Sequence, residues 1–158
     1  MMVVALVLVV PSGRVMACDV AAATATRDAI QRRLAAGEVT RLELLRISDR
    51  LLSTIPISPE HFASYASDRA AHELGRQEAA DLAAAFARIT PGDIAYQPDL
   101  RWQLVLLDGA GHRLHTIFFS KRYLQGRGRT GYLDGNRCGF GSGALGSPAV
   151  VKWLAKRL

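Results

Sequence analysis

Leu100 to Leu107 reads LRWQLVLL and Leu114 to Phe119 reads LHTIFF, with Asp108-Gly109-Ala110-Gly111 between them. The first run is apolar on both faces toward its end, which predicts a central strand. The second alternates, with Leu114, Thr116 and Phe118 on one face and His115, Ile117 and Phe119 on the other. Two such runs joined by a glycine-rich turn predict an antiparallel hairpin, and that hairpin sets the fold class.

Toward the C-terminus, Tyr132-Leu133 and Asn136-Arg137 flank Asp134-Gly135, a tight-turn dipeptide that predicts a short third and fourth strand. Ser147-Pro148 then opens a terminal helix whose buried stripe is Val150, Trp153, Leu154 and Leu158. Docking that helix across the sheet is expected to bury the rings of Trp102 and Trp153 together.

Toward the N-terminus the pattern becomes helical. Thr24 to Ala36 carries Ile30 and Leu34 four apart, Thr24 or Thr26 as a cap, and Gly37 at the exit. Ser58-Pro59-Glu60 is a helix start, with Phe62, Tyr65 and Ala66 on one face and Gly75 as a break or kink. A further helix runs from Gln77 to Arg88, with Leu82, Ala83, Phe86 and Ile89 at helical spacing, and Thr90-Pro91-Gly92 stops it. Residues 39–52 read two ways. Thr40-Arg41-Leu42-Glu43 has capping-box spacing, while the leucines that follow alternate as in a half-buried strand; helix is the expectation. The predicted class is α+β, with N-terminal helices followed by a small antiparallel β-meander closed by a C-terminal helix.

Met1 to Val10 reads MMVVALVLVV and ends at Pro11-Ser12-Gly13. The run is about half the roughly 20 apolar residues that span a bilayer, and fits the apolar core of an export signal. Val15-Met16-Ala17 supplies small residues for cleavage before Cys18, so residues 1–17 are expected to be a signal peptide and 18–158 a single domain. One departure is that no Lys or Arg precedes the apolar run. Val15-Met16-Ala17-Cys18 also resembles a lipobox, with Met16 unusual in its slot, which would make Cys18 a lipidation site. Alternatively Cys18 pairs with Cys138, the other of two cysteines, closing a loop of about 121 residues. Cleavage after Ala23 would instead remove Cys18 altogether. The disulfide is the preferred expectation.

The chain has 158 residues, one domain by size, with 49% hydrophobic and 22% charged residues, which excludes wholesale disorder. Two cysteines exclude a disulfide-dense scaffold and a zinc ribbon. The formal charge of +6 is unevenly placed. From Cys18 to Gly111, ten Arg stand against thirteen Asp or Glu, giving −3; from His112 to Leu158, nine Lys or Arg stand against Asp134 alone, giving +8. Such asymmetry points to an acidic or anionic partner for the C-terminal half. Its densest stretch holds Lys121, Arg122, Arg127 and Arg129 among glycines, and guanidinium groups suit carboxylates and phosphates. These four are the candidate binding residues.

Two GxGxxG strings, Gly126 to Gly131 and Gly141 to Gly146, lack the strand–helix–strand context of a dinucleotide site and are read as turns; the second could hold an anion at the terminal helix. His61 and His72, eleven apart with no third ligand of obvious spacing, are read as partly exposed helix residues, and no metal or cofactor is expected. His112 and His115 could serve a general acid–base hydrolase or nuclease, although strand geometry sends them to opposite faces. The sequence therefore leads to an exported, periplasmic or secreted, non-catalytic binding or inhibitor/immunity-like protein. Its partner would be an acidic protein or an anionic envelope component, with nucleic acid not expected and membrane contact only if Cys18 is lipidated. The alternatives are a hydrolase using His112 or His115, and a passive envelope lipoprotein.

Overall fold

The computed structural model describes residues 18–158 apart from 49, 55, 94–97, 121–130, 135, 137, 141–144 and 146. The elements run α1 (Val20–Ala35), β1 (Arg41–Arg46), α2 (Pro59–Tyr65), β2 (Asp68–Glu73), α3 (Arg76–Ala87), β3 (Pro91–Gly92), β4 (Leu100–Leu107), β5 (Arg113–Ser120), β6 (Gly131–Leu133), β7 (Gly139–Phe140) and α4 (Ala149–Lys156). The class is α+β. A five-stranded antiparallel sheet has the order β2-β1-β4-β5-β6, and β3 pairs separately with β7.

The β4–β5 hairpin forms as its pattern dictates, with Leu104 opposite Ile117 and Val105 opposite Thr116. Gly111 closes its turn at φ 82°, a conformation glycine adopts without a Cβ clash. Register shifts lie between Leu100 and Trp102 and between Leu106 and Leu107. The first turns Leu100 to one face of the sheet and Trp102 to the other, which simple alternation would not do. Beyond β6, Asp134 adopts φ 43° and Asn136 N–H donates to Leu133 O at 2.8 Å, the tight reversal expected of Asp-Gly.

Residues 39–52 correct the helical expectation. Arg41–Arg46 is a strand between β2 and β4, and Thr40, instead of capping a helix, continues the ladder through Leu107 O and Leu74 N–H. A local cap signal is worth about 1 kcal/mol. Two flanking strands supply a full set of ladder bonds and bury Leu42 and Leu44 completely, so tertiary pairing prevails. The segment after α2 is a second correction. Ala66 turns extended at ψ 120°, and Asp68–Glu73 becomes the edge strand, with Arg69, Ala71 and Glu73 exposed and Asp68, Ala70 and His72 half-buried along a DRAAHE sequence that pure propensity reads as helix. Gly75 is thus not a kink within a helix but the residue that caps α3.

Helix α1 starts earlier than expected because Asp19, not Thr24 or Thr26, is its cap, accepting from Ala22 N–H at 2.9 Å. It ends in a paired reversal, Gly37 N–H to Leu34 O and Glu38 N–H to Arg33 O, with Gly37 at φ 72°. Ile30, Leu34, Leu82 and Phe86 of α1 and α3 cover one sheet face at Leu42, Leu44, Leu104, Leu106, Ile117 and Phe119. The other face carries a smaller cluster in which Phe62 of α2 meets Phe118 edge-on, 5.4 Å between centroids, with Ile47, Ile57, Leu100 and Tyr132 around them.

Helix α4 buries Val150, Val151 and Leu154. Trp153 is a further correction: it remains 39% exposed, with the His72 ring tilted against it at 4.9 Å and the Arg157 guanidinium over its ring at 3.9 Å, while Trp102 is half-buried. The helix docks near the β2 edge, so its tryptophan covers that edge rather than joining Trp102.

Candidate binding site

Cys18 and Cys138 are joined by a disulfide, with their Cα atoms 4.7 Å apart. The bridge ties the residue before the α1 cap to the residue before β7. Of the other sequence-predicted residues, Lys121, Arg122, Arg127 and Arg129 lie outside the described residues, as do positions 1–17 and most of both glycine-rich strings. Strand β5 ends at Ser120, opposite Leu100, and β6 begins at Gly131, opposite Phe119.

The two weighed histidines are separate. His112 is exposed at the hairpin turn, where its Nδ1 lies 3.1 Å from Asp108 Oδ2 and its backbone N–H donates to Asp108 Oδ1 at 2.8 Å. That backbone bond is the main reason the Asp108 carboxyl lies below its ordinary pKa, with the His112 ring and Ala110 N–H adding to it. His115 is buried and its Nδ1–H donates to Asp134 Oδ2. The second Asp134 oxygen accepts from Thr116 N–H at 2.6 Å. His115 Nε2 is buried and has no partner among the described residues. The two imidazoles therefore engage different carboxylates. His61 and His72 do not share a helix: His61 is on α2 beside Ser58, while His72 is on β2 with both Nε2–Glu78 distances at 3.0 Å. Among the described residues no group of three or more His, Cys, Asp or Glu could hold a metal ion.

What sequence reasoning missed is the second sheet face. Register aligns Arg41, Leu107 and Arg113 across β1, β4 and β5, and aligns Glu43, Val105 and Thr116 in the next row. Glu43 is buried, held by Arg41 at 3.3 Å and by Arg69 from the edge strand. A hollow of about 330 Å³ lies on this face, with Gln103, Thr116 and Phe118 as floor, Pro59 and Ala63 of α2 as wall, and Arg113 and Asp134 at the rim. Asp134 is already engaged on both oxygens by His115 and Thr116. Arg113 is exposed and makes no ion pair among the described residues, which leaves a cation beside a polar floor. The signal for this site was weak: Arg113 stands next to the hairpin turn, and only the strand register shows that it shares a face with Gln103 and Thr116.

Among the described residues no helix is long and apolar enough to cross a membrane. No protein-family model, curated protein or solved structure matches the chain.

Proposed function

We propose that the protein is an exported, disulfide-closed binding module of inhibitor or immunity type, and that it captures an acidic protein through cations of its C-terminal half. The observation that carries the reading is Arg113, a cation with no ion pair among the described residues, at the rim of a hollow lined by Gln103 and Thr116. A carboxylate entering there meets a guanidinium with two parallel donors. Asp134, which lines the same hollow, is bonded to His115 and Thr116 and makes no ion pair with Arg113. The charge of +8 from His112 to Leu158 supplies long-range attraction to the same class of partner.

Export is supported by the disulfide, since such bridges persist in oxidising compartments, and by the apolar start of the chain. A sulfur in this bridge cannot also carry a lipid, so the bridge favours a periplasmic or secreted body over an anchored lipoprotein. The test is crosslinking capture from the native envelope with wild type, with Arg113→Glu, and with Lys121, Arg122, Arg127 and Arg129 all changed to Gln. Both variants are expected to recover at least fivefold less of one acidic protein, more strongly at low salt. Equal recovery by all three proteins refutes the reading.

A further inference from the structure

A second cavity lies on the opposite side of the sheet, where the end of α1 faces the start of α3. Its volume is about 490 Å³, within the range of small-molecule sites. Leu34, Val39 and Ala79 lie almost fully buried beneath the cavity, its accessible apolar surface comes from exposed Ala35, Ala36 and Ala80 with half-buried Leu74, and exposed Arg76 also lines it. The charge around Arg76 is unbalanced for a local reason. Glu78, two residues on, is turned back to accept from Gly75 N–H at 2.9 Å and to pair with His72. Glu73 faces Arg41, and Glu38 faces Arg33, each at 3.9 Å. Arg76 itself makes no ion pair among the described residues. The cavity thus combines a mainly apolar lining with one guanidinium that has no ion pair among the described residues.

We infer that this cavity binds a linear alkyl carboxylate, with the chain over Ala35, Leu74 and Ala80, above the buried Leu34 and Val39, and the head group on Arg76. The apolar lining selects for an alkyl body, since each buried methylene contributes favourably and no carboxylate or ammonium side chain lines the cavity. The guanidinium selects for a planar anion, which it meets with two parallel hydrogen bonds. The site is independent of the acidic-partner reading: it lies in the acidic half of the chain and shares no residue with the hollow at Arg113.

The experiment titrates the oxidised protein with decanoate, decanol and decylamine, followed by methyl NMR and calorimetry. Decanoate is expected to shift the Leu34, Val39 and Leu74 methyls and to bind about tenfold tighter than decanol, the step a charge-assisted hydrogen bond confers. Arg76→Gln should erase that preference. Ala80→Trp, at an exposed position on the rim, should fill the cavity and abolish binding at unchanged melting temperature. Three results overturn the inference: no methyl shifts with decanoate, equal affinity for decanoate and decanol, or decanoate binding that survives Ala80→Trp.

Discussion

Reducing the Cys18–Cys138 bridge tests both the stability of the fold and its compartment. The two cysteines are 120 positions apart, so the bridge closes nearly the whole described chain. In the chain-entropy treatment, a closed loop of that length restricts the unfolded state by roughly 16 cal/mol/K, or about 5 kcal/mol at 25 °C. That figure is an upper one, because unfolded chains keep some compactness and the crosslink then restricts them less. The expected loss is about 3–5 kcal/mol, a fifth or more of the roughly 5–15 kcal/mol that stabilises an ordinary domain. Urea denaturation of the oxidised and the dithiothreitol-reduced protein measures it. Reduction adds only two hydrogens, so it separates the crosslink from the packing of the buried Cys138 sulfur, which the Cys18→Ala/Cys138→Ala double variant would also remove. The oxidised protein should also show a smaller denaturant slope, since a crosslinked unfolded chain exposes less surface. A loss below about 1 kcal/mol refutes the entropic reasoning. Free thiols in protein isolated from its native source refute the bridge as a working feature.

Gly131→Ala should destabilise by about 1–3 kcal/mol, lowering the melting temperature by several degrees in calorimetry, because the new Cβ meets the Phe140 ring and the Phe118 backbone carbonyl, and the carbonyl cannot move aside. A melting temperature within a degree of wild type would contradict the packing of β6 against β7. Glu78 has its pKa lowered chiefly by the Gly75 N–H bond, so its stabilising effect is full above the ordinary carboxylate range and is lost as pH falls through its folded value. Glu78→Gln is therefore expected to melt below wild type at neutral pH and to converge with it under acid, and a gap that is constant with pH would refute the cap. His115→Ala leaves Asp134 Oδ2 without its donor and should cost about 1–3 kcal/mol in urea unfolding, while His112→Ala, at an exposed turn, should leave unfolding unchanged. Partner capture by a folded His112→Ala variant should equal wild type; loss of a hydrolytic activity on changing either histidine would favour the enzymatic alternative.

The parts of the fold that were legible are those decided locally. The β4–β5 hairpin follows from alternation and a glycine turn, α3 from helical spacing with a Thr-Pro-Gly stop, and the Asp134-Gly135 reversal from the dipeptide itself. The β1 and β2 strands were not legible, because each is stabilised by neighbours distant in sequence: Leu44 is a strand residue through Ala70 on one side and Leu104 on the other. Trp153 was misplaced for a related reason. Helical spacing shows which residues share a face, and the element that face meets depends on a docking position that β2 determines only once it is a strand. The site divides in the same way. The cysteine pair could be read from composition, whereas the row Arg41–Leu107–Arg113 exists only in the register of three strands. A charge count finds cations without showing which have lost their counter-ions. Arg69 and Arg41 converge on Glu43, and Arg113 does not.

The disulfide and the basic stretch are mechanically connected even though they are separate features of the sequence. Cys138 is followed directly by Gly139 and Phe140, which pair with Gly92 and Pro91. The Phe140 ring then packs edge-on against Phe119, with centroids 6.1 Å apart, and against Gly131. Gly131 pairs with Phe119 and begins β6, following Lys121, Arg122, Arg127 and Arg129 in sequence; Ser120, which ends β5, is held opposite Leu100. Both attachment points of the candidate binding stretch are thus fixed by buried aromatic packing that the Cys18–Cys138 bridge holds against α1. A segment anchored at both ends loses less entropy on binding than one anchored at a single end. On the proposed reading, one structural connection serves both features: the bridge that closes the chain also holds the β6–β7 packing at the base of the candidate binding stretch.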